Sequence, residues 1–236
     1  MGSIDSDAHE KHIQAIRDIS RIITAEPPID ELLQRIVLTT ARALAYEVCS
    51  IWLVDDSVSP RRIRLKATQA VDPEYARPRS MGRVEGVAGF VATHNQTLRI
   101  RDVLKEPRFK EKDLARKLGL VSLLSVPLQV RDDENIGVLN AFTNEPHDFP
   151  SSETNLVTAI GNLAALAILN AELRDQMRAA REELETRKVI ERAKEVLARR
   201  RALAGDQAFR WIQKRSMDSR KSMRQIAEAV ILSEDV

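Results

Sequence analysis

Residues 119–149, GLVSLLSVPLQVRDDENIGVLNAFTNEPHDF, hold two apolar runs of strand length around a short polar break. Leu124, Val126, Leu128 and Val130 alternate in the first run; Ile136, Val138, Asn140 and Phe142 alternate in the second. A period of two sends successive side chains to opposite faces of a pleated strand. Asp132-Asp133-Glu134-Asn135 supplies turn-forming side chains between the runs, so the stretch predicts an antiparallel hairpin.

Upstream, RRIRLKATQ (61–69) alternates in the same way, with Ile63, Leu65 and Ala67 to one side and Arg62, Arg64, Lys66 and Thr68 to the other. That pattern predicts a strand with one solvated face. A turn at Ser59-Pro60 separates it from VCSIWLVDD (48–56), which reads as a buried strand and closes on Asp55-Asp56-Ser57. VEGVAGFVATHNQTLRIRDV (84–103) starts a short helix between Gly86 and Gly89, then a short strand at Leu98 and Ile100. EPRFKEKDLARKLG (106–119) is a charged loop and helix. At the N-terminal side, Ile13, Ile16, Ile19 and Ile23 recur at helical spacing until Pro27-Pro28, where a missing amide proton and a ring clash end the helix. A second helix, DELLQRIVLTTARAL (30–44), places Leu33, Ile36, Val37, Thr40 and Leu44 on one face. Helices, then strands, a helix and more strands predict an α+β fold with helices packed on an antiparallel sheet.

Downstream, residues 150–200 contain one glycine, Gly161, and no proline after Pro150. Ser151 or Ser152 can cap a helix there, with Glu153 in the first turn where the helix dipole favours negative charge. Roughly 50 residues at 1.5 Å each would span about 75 Å, more than one small domain can bury. Leu156, Ile160, Leu163 and Ala167 can pack on the sheet, while Leu173, Met177, Ala180 and Leu184 form a 4-3-4 stripe suited to a short coiled-coil seam. The reading predicts a homodimer through that seam; folding back of the stripe on its own domain is the alternative.

The apolar pattern restarts in TRKVIERAKEVLARRRALAGDQAFRWIQKRSMDSRKSMRQIAEAVI (186–231). Val189, Ile190, Ala193, Val196 and Leu197 make one helical face. Ala202 to Gly205 breaks it, Ala208, Phe209, Trp211 and Ile212 serve a second helix, and Met223, Ile226, Ala227, Val230 and Ile231 a third. From Arg187 to Arg224, 13 Lys/Arg stand against Glu191, Glu195, Asp206 and Asp218, a local charge of +9; with an overall +2, the rest of the chain carries −7. A basic tail on an acidic body suits a polyanionic partner for the tail alone.

This last segment resembles an ANTAR domain, the family of RNA-binding transcription antitermination regulators. The matching residues are Arg187, Val189-Ile190, Ala193-Lys194, Leu197, Ala208-Phe209, Gln213, Ser216-Met217, Arg220, Met223 and Ile226-Ala227. It departs from the family pattern at Glu195, where glycine is usual, and at Ala204-Gly205, where a capping Ser or Thr is common. The resemblance implies a dimer whose modules grip hairpins of nascent transcripts. Basic side chains position phosphates with salt-sensitive affinity, and unstacked loop bases carry the sequence information. The expected RNA-contacting residues are Lys188, Lys194, Lys214, Arg215, Arg220, Lys221 and Arg224; Trp211 could stack on a base but is spaced as a core residue.

Residues 30–173 resemble a GAF domain: EGVAGFVATHNQTLRIRDV fits its glycine-bracketed helix and following strand, and GLVSLLSVPLQV and NIGVLNAFTNEPHDF its paired later strands. That family implies an unidentified small-molecule ligand, with Met81, Arg83, His94 and Phe109 where its pocket would be lined. The Asn-Lys-x-Phe-Asp-Glu pattern of cyclic-nucleotide GAF domains is missing, since Phe109 precedes Lys110-Glu111. Cys49, the one cysteine, lies in the first strand and reads as a small core hydrophobe rather than a redox thiol or a ligand.

No phosphate-cradling glycine loop, metal-binding His-Glu spacing or nucleophile elbow is present, so neither enzyme activity, nor a metal, nor a cofactor is expected. No uninterrupted apolar run has the length of a membrane span, and the N-terminus lacks the apolar core of an export signal. The resulting expectation is a cytoplasmic regulator with an N-terminal helix at 1–29, a GAF-like sensor at 30–173, a coiled-coil linker at 174–186 and an RNA-binding module at 187–236. A protein-docking module, or a DNA-binding regulator that places a short helix in the major groove, would use the same basic helices.

Overall fold

The computed structural model describes residues 2–131, 134–203 and 205–233, with side chains from Glu10 onward. The elements run α1 (Gly2–Thr24), α2 (Ile29–Leu44), β1 (Val48–Asp55), β2 (Arg62–Thr68), α3 (Pro73–Ala76), β3 (Ser80–Gly82), α4 (Gly86–His94), β4 (Leu98–Ile100), α5 (Lys112–Leu118), β5 (Ser122–Arg131), β6 (Glu134–Thr143), α6 (Ser151–Arg201), α7 (Asp206–Ser219) and α8 (Met223–Leu232). They group into two compact units, Met1–Ala171 and Glu172–Val236.

In the first unit the predicted hairpin forms. β5 and β6 pair antiparallel, with Leu124 opposite Ala141 and Val126 opposite Leu139; the Asp132-Asp133 part of its turn lies outside the described residues. The sheet order is β3-β2-β1-β6-β5-β4, every pairing antiparallel. Both faces of its centre are covered. Cys49, Ile51, Leu53, Val126, Leu128 and Leu139 pack with Leu33, Ile36 and Val37 of α2 and with Val157, Ile160 and Ala164 of α6. Val48, Trp52, Leu123, Val138 and Phe142 pack with Tyr75, Val87, Val91, Leu114 and Phe109 on the other side. Alternating positions therefore feed two cores, and full burial of each large aliphatic side chain contributes on the order of 1.5–3 kcal/mol.

Two local expectations are corrected. Ile63, Leu65 and Ala67 do not share a face: Ile51 pairs with Ala67 but Trp52 with Leu65, so Lys66 is an extra residue on β2. This bulge leaves Lys66 exposed and returns Ala67 to the α2 side, while Ile63 and Leu65 stay on the Trp52 side. On α1, Ile19 is buried, but Ile13 and Ile16 are exposed and Ala15 takes the buried position on that side. The isoleucine stripe is wider than the face packed on α2.

Gly161 is used for contact: a Cβ there would meet the Pro127 carbonyl oxygen at 3.2 Å and Val126 Cγ2 at 3.3 Å, so its absence lets α6 lie close on β5. An 18-residue window of α6 has a mean hydropathy of 1.6, enough to cross a membrane by length and composition alone. Half of it is buried, with Leu156, Val157, Ile160, Ala164 and Ile168 in the first core, so it acts as a core helix. In its first turn Glu153 accepts hydrogen bonds from Tyr46 Oη at 2.6 Å and pairs with His147 Nε2 at 2.7 Å, tying the helix start to the sheet end.

In the second unit, Ala193, Val196 and Leu197 of α6 meet Ala208 and Ile212 of α7 and Ala227 and Val230 of α8. An alanine from each helix is fully buried, which allows close backbone approach. Phe209, expected in this core, is 40% exposed and outside it. Gly205 begins α7 without a side-chain cap, and Ala204 lies outside the described residues. α8 has a capping box: Ser222 Oγ accepts from the Gln225 amide at 3.2 Å and the Ser222 amide donates to Gln225 Oε1 at 3.0 Å. Arg220 ends α7 in the left-handed region, φ 54°.

Candidate nucleic-acid interface and sensor cavity

The seven basic residues expected to meet RNA fall into two groups. Lys214 and Arg215 lie in the last turns of α7, Arg220 and Lys221 in its connection to α8, and Arg224 in the first turn of α8; all five are exposed. Ser216 Oγ donates to the Lys221 carbonyl at 2.6 Å, which together with the capping box fixes the backbone of this connection. Lys188 and Lys194 lie on α6 instead. Lys188 Nζ pairs with Glu185 at 2.9 Å, and Lys194 Nζ contacts both carboxylate oxygens of Glu191 at 3.0 and 2.9 Å. Exposed pairs of this kind contribute little, so exchanging Glu185 for a phosphate costs little; Lys194 is half-buried and the least accessible of the seven.

The acidic neighbours join the two groups. Glu185 is held below the usual carboxylate range first by its hydrogen bond with Lys188, with Arg181 and Arg224 adding to the effect. Arg224 also donates Nε to Glu228 at 2.8 Å, which raises its already high pKa. The start of α8 thus faces the Glu185–Lys188 turn of α6 in one field of alternating charge.

The surroundings of Trp211 are not evident from its helical spacing. This side chain is half-buried against the module core, and the Arg201 and Arg215 guanidiniums lie 5.0 and 5.8 Å from its ring centroid. The Arg199-Arg200-Arg201 run was a visible signal for the first of them.

In the first unit, a small cavity lies between the sheet and α4, lined by Trp52, Tyr75, Met81, Phe109, Asn140 and Phe142 among others. Its volume, about 30 Å³, admits about one water molecule. Polar groups converge at its wall: Trp52 Nε1 donates to Ser50 Oγ at 3.2 Å, and Ser50 Oγ shares a 3.1 Å hydrogen bond with Tyr75 Oη. Burial pushes the Tyr75 hydroxyl up and keeps it protonated. Met81 and Phe109 are thus brought together as the family resemblance implied. Arg83 and His94 are elsewhere: the Arg83 carbonyl accepts from Thr93 Oγ1 at 3.0 Å, and the exposed His94 ring stacks on Phe90 with centroids 4.1 Å apart.

A wider, open depression of about 440 Å³ adjoins this cavity and shares Met81, Lys110 and Glu111 with it. Arg79, unnoticed in the sequence, sits in its wall. Nη1 pairs with Glu111, Nη2 donates to the Tyr75 carbonyl at 2.9 Å, and Nε is buried with no hydrogen-bond partner among the described residues. Cys49 is fully buried on the opposite face of the sheet, and burial pushes its thiol up, away from the reactive thiolate. Among the described residues, no three His, Cys, Asp or Glu side chains converge as a metal site.

A covered antiparallel sheet with an interior cavity, followed by a basic three-helix module, defines a class of two-part chain. Residues 28–168 match the GAF domain and residues 178–231 the ANTAR domain. The chain belongs to the GAF domain family, and it carries an ANTAR domain after the GAF domain. It is similar to the transcriptional regulatory protein PdtaR of Mycobacterium tuberculosis, 35% identical over 155 residues, which span 64% of this chain and 63% of PdtaR, less than two thirds of that protein's length. It is also 27% identical over 151 residues to the phosphoenolpyruvate-dependent phosphotransferase system protein of Escherichia coli, covering 64% of this chain and 20% of that one. Among solved structures, the GAF domain of a phosphoenolpyruvate-protein phosphotransferase from Coxiella burnetii matches with a TM-score of 0.62 and 22% identity, covering 71% of this chain and 98% of that one. Its counterpart from Acinetobacter matches with a TM-score of 0.60 and 23% identity over 70% of this chain and 97% of that one. These structural likenesses concern the fold.

Proposed function

We propose that the chain is a cytoplasmic, signal-responsive transcription antitermination regulator, binding hairpin RNA through its ANTAR domain under the control of its GAF domain. The observation that carries the reading is the exposed set Lys214, Arg215, Arg220, Lys221 and Arg224, gathered by the capped connection between α7 and α8. Five cations on a fixed backbone form a phosphate-binding corner, and the PdtaR resemblance supports a regulatory role. The chain acts by binding rather than by catalysis, without a resident cofactor. It does so as a homodimer: Leu173, Met177 and Leu184 are 47%, 73% and 54% exposed along one stripe of α6, with their apolar surface left for a second copy.

The test is titration of the full chain with a tandem-hairpin RNA across a series of salt concentrations, with duplex DNA of equal length as the control. RNA-selective, salt-weakened binding is expected. Lys214→Ala/Arg220→Ala/Lys221→Ala should weaken it and lower the log–log salt slope by roughly 2–3, the value for three lost phosphate contacts. Equal binding to duplex DNA would favour a groove reader, and no binding to either nucleic acid a protein-docking role.

A further inference from the structure

The geometry points to Arg79 as the receptor for a small organic oxyanion, a carboxylate or phosphate group, which would take the place that Glu111 holds on the guanidinium. This rests on reading that domain as a sensor and names the chemistry it senses.

The Arg79 side chain is only 9% exposed. A guanidinium so buried is costly unless paired, and its planar fork is built to bind an oxyanion through two parallel N–H donors. Here the fork is incompletely used: Glu111 engages Nη1, the Tyr75 carbonyl occupies Nη2, and the Nε–H has no acceptor among the described residues. The orientation of the fork is nevertheless set, because the guanidinium carbon lies 4.5 Å from the Tyr75 ring centroid and 5.4 Å from that of Trp52. A donor array that is oriented, desolvated and one partner short is a preorganised anion receptor.

Glu111 can give up its place. Its backbone carbonyl starts α5 by accepting from the Ala115 amide, but its side chain makes no capping hydrogen bond. The depression offers room and a favourable field. Arg77, Arg79 and Lys110 face Glu85 and Glu111 across about 440 Å³, within the range of small-ligand pockets. Glu85 is engaged locally, accepting from the Gly82 amide at 3.1 Å. Once Glu111 withdraws, the site carries excess positive charge. Met81, shared with the inner cavity, would meet the apolar body of the ligand, and Lys110-Glu111 would carry the exchange into the segment leading to α5.

The experiment reads Trp52, which stacks beside Arg79, in a full-length Trp211→Phe background that leaves it the one tryptophan of the chain. Inorganic phosphate, benzoate and the neutral isostere benzamide are titrated at constant ionic strength, without RNA. A saturable change in Trp52 emission is expected with an anion and none with benzamide; phosphate alone identifies a phosphoryl ligand, benzoate alone a carboxylate. Arg79→Lys, which keeps the charge but not the fork, should weaken binding tenfold or more. Glu111→Gln, which removes the internal competitor, should tighten it at least threefold, with folding checked by urea denaturation. Absence of a saturable change with both anions in wild type and Glu111→Gln overturns the proposal, as does Glu111→Gln binding no tighter or benzamide binding equally. Since RNA is absent, such a result leaves the hairpin reading standing, and failure of the hairpin titration leaves this one untouched.

Discussion

A Cβ added at Gly137 would lie 2.1 Å from the Trp52 carbonyl oxygen and 3.1 Å from the Leu53 Cα, both in the backbone of the neighbouring strand. No side-chain rotation can relieve that overlap, so Gly137→Ala should cost about 2–3 kcal/mol, at the upper end of overpacking substitutions. A shift of the urea midpoint at unchanged m-value would measure it. Gly137 stands among the alternating residues of the second strand run, where a glycine signals a close backbone approach without naming what approaches. The same limit applies around the cavity. Met81 and Phe109 follow from the family resemblance, but nothing in the local pattern of YARPRSMGR singles out Arg79 over Arg77 or Arg83. Its role comes from Trp52, Tyr75 and Glu111, which the chain brings from separate segments.

At the scale of elements, α6 is the clearest case of what periodicity resolves. The sheet-facing set and the Leu173–Leu184 stripe were both legible as spacings, and the structure leaves Leu173, Met177 and Leu184 exposed. Charges at Leu173 and Met177 should therefore act on association and leave the fold intact. Sedimentation is expected to show a dimer for the wild-type chain and a monomer for Leu173→Glu/Met177→Glu, with unchanged far-ultraviolet circular dichroism. A wild-type monomer at every concentration would remove the seam from the mechanism. The β2 bulge was not legible: one inserted residue reverses the face of all that follows, yet leaves the alternating pattern of RRIRLKATQ intact. The Ile13–Ile23 stripe misled for a related reason, since spacing marks an apolar face but not how much of it a partner covers.

For the whole molecule, the fold class and the split into a sheet-and-helix unit and a basic helical one followed from the change of period and the uneven charge. The cores of the two units share no residue. Calorimetry of the full chain should accordingly resolve two transitions, with Gly137→Ala lowering one and Ile212→Ala the other; one transition moved by both substitutions would mean that α6 couples the cores. Arg220 has a consequence of a different kind. The left-handed conformation it adopts at the end of α7 favours glycine or asparagine. Drift toward stability alone would therefore replace the arginine. Under the proposed RNA-binding role, ANTAR-containing lineages without an RNA target should be the first to place glycine at this position, making it a record of function that sequencing alone can read.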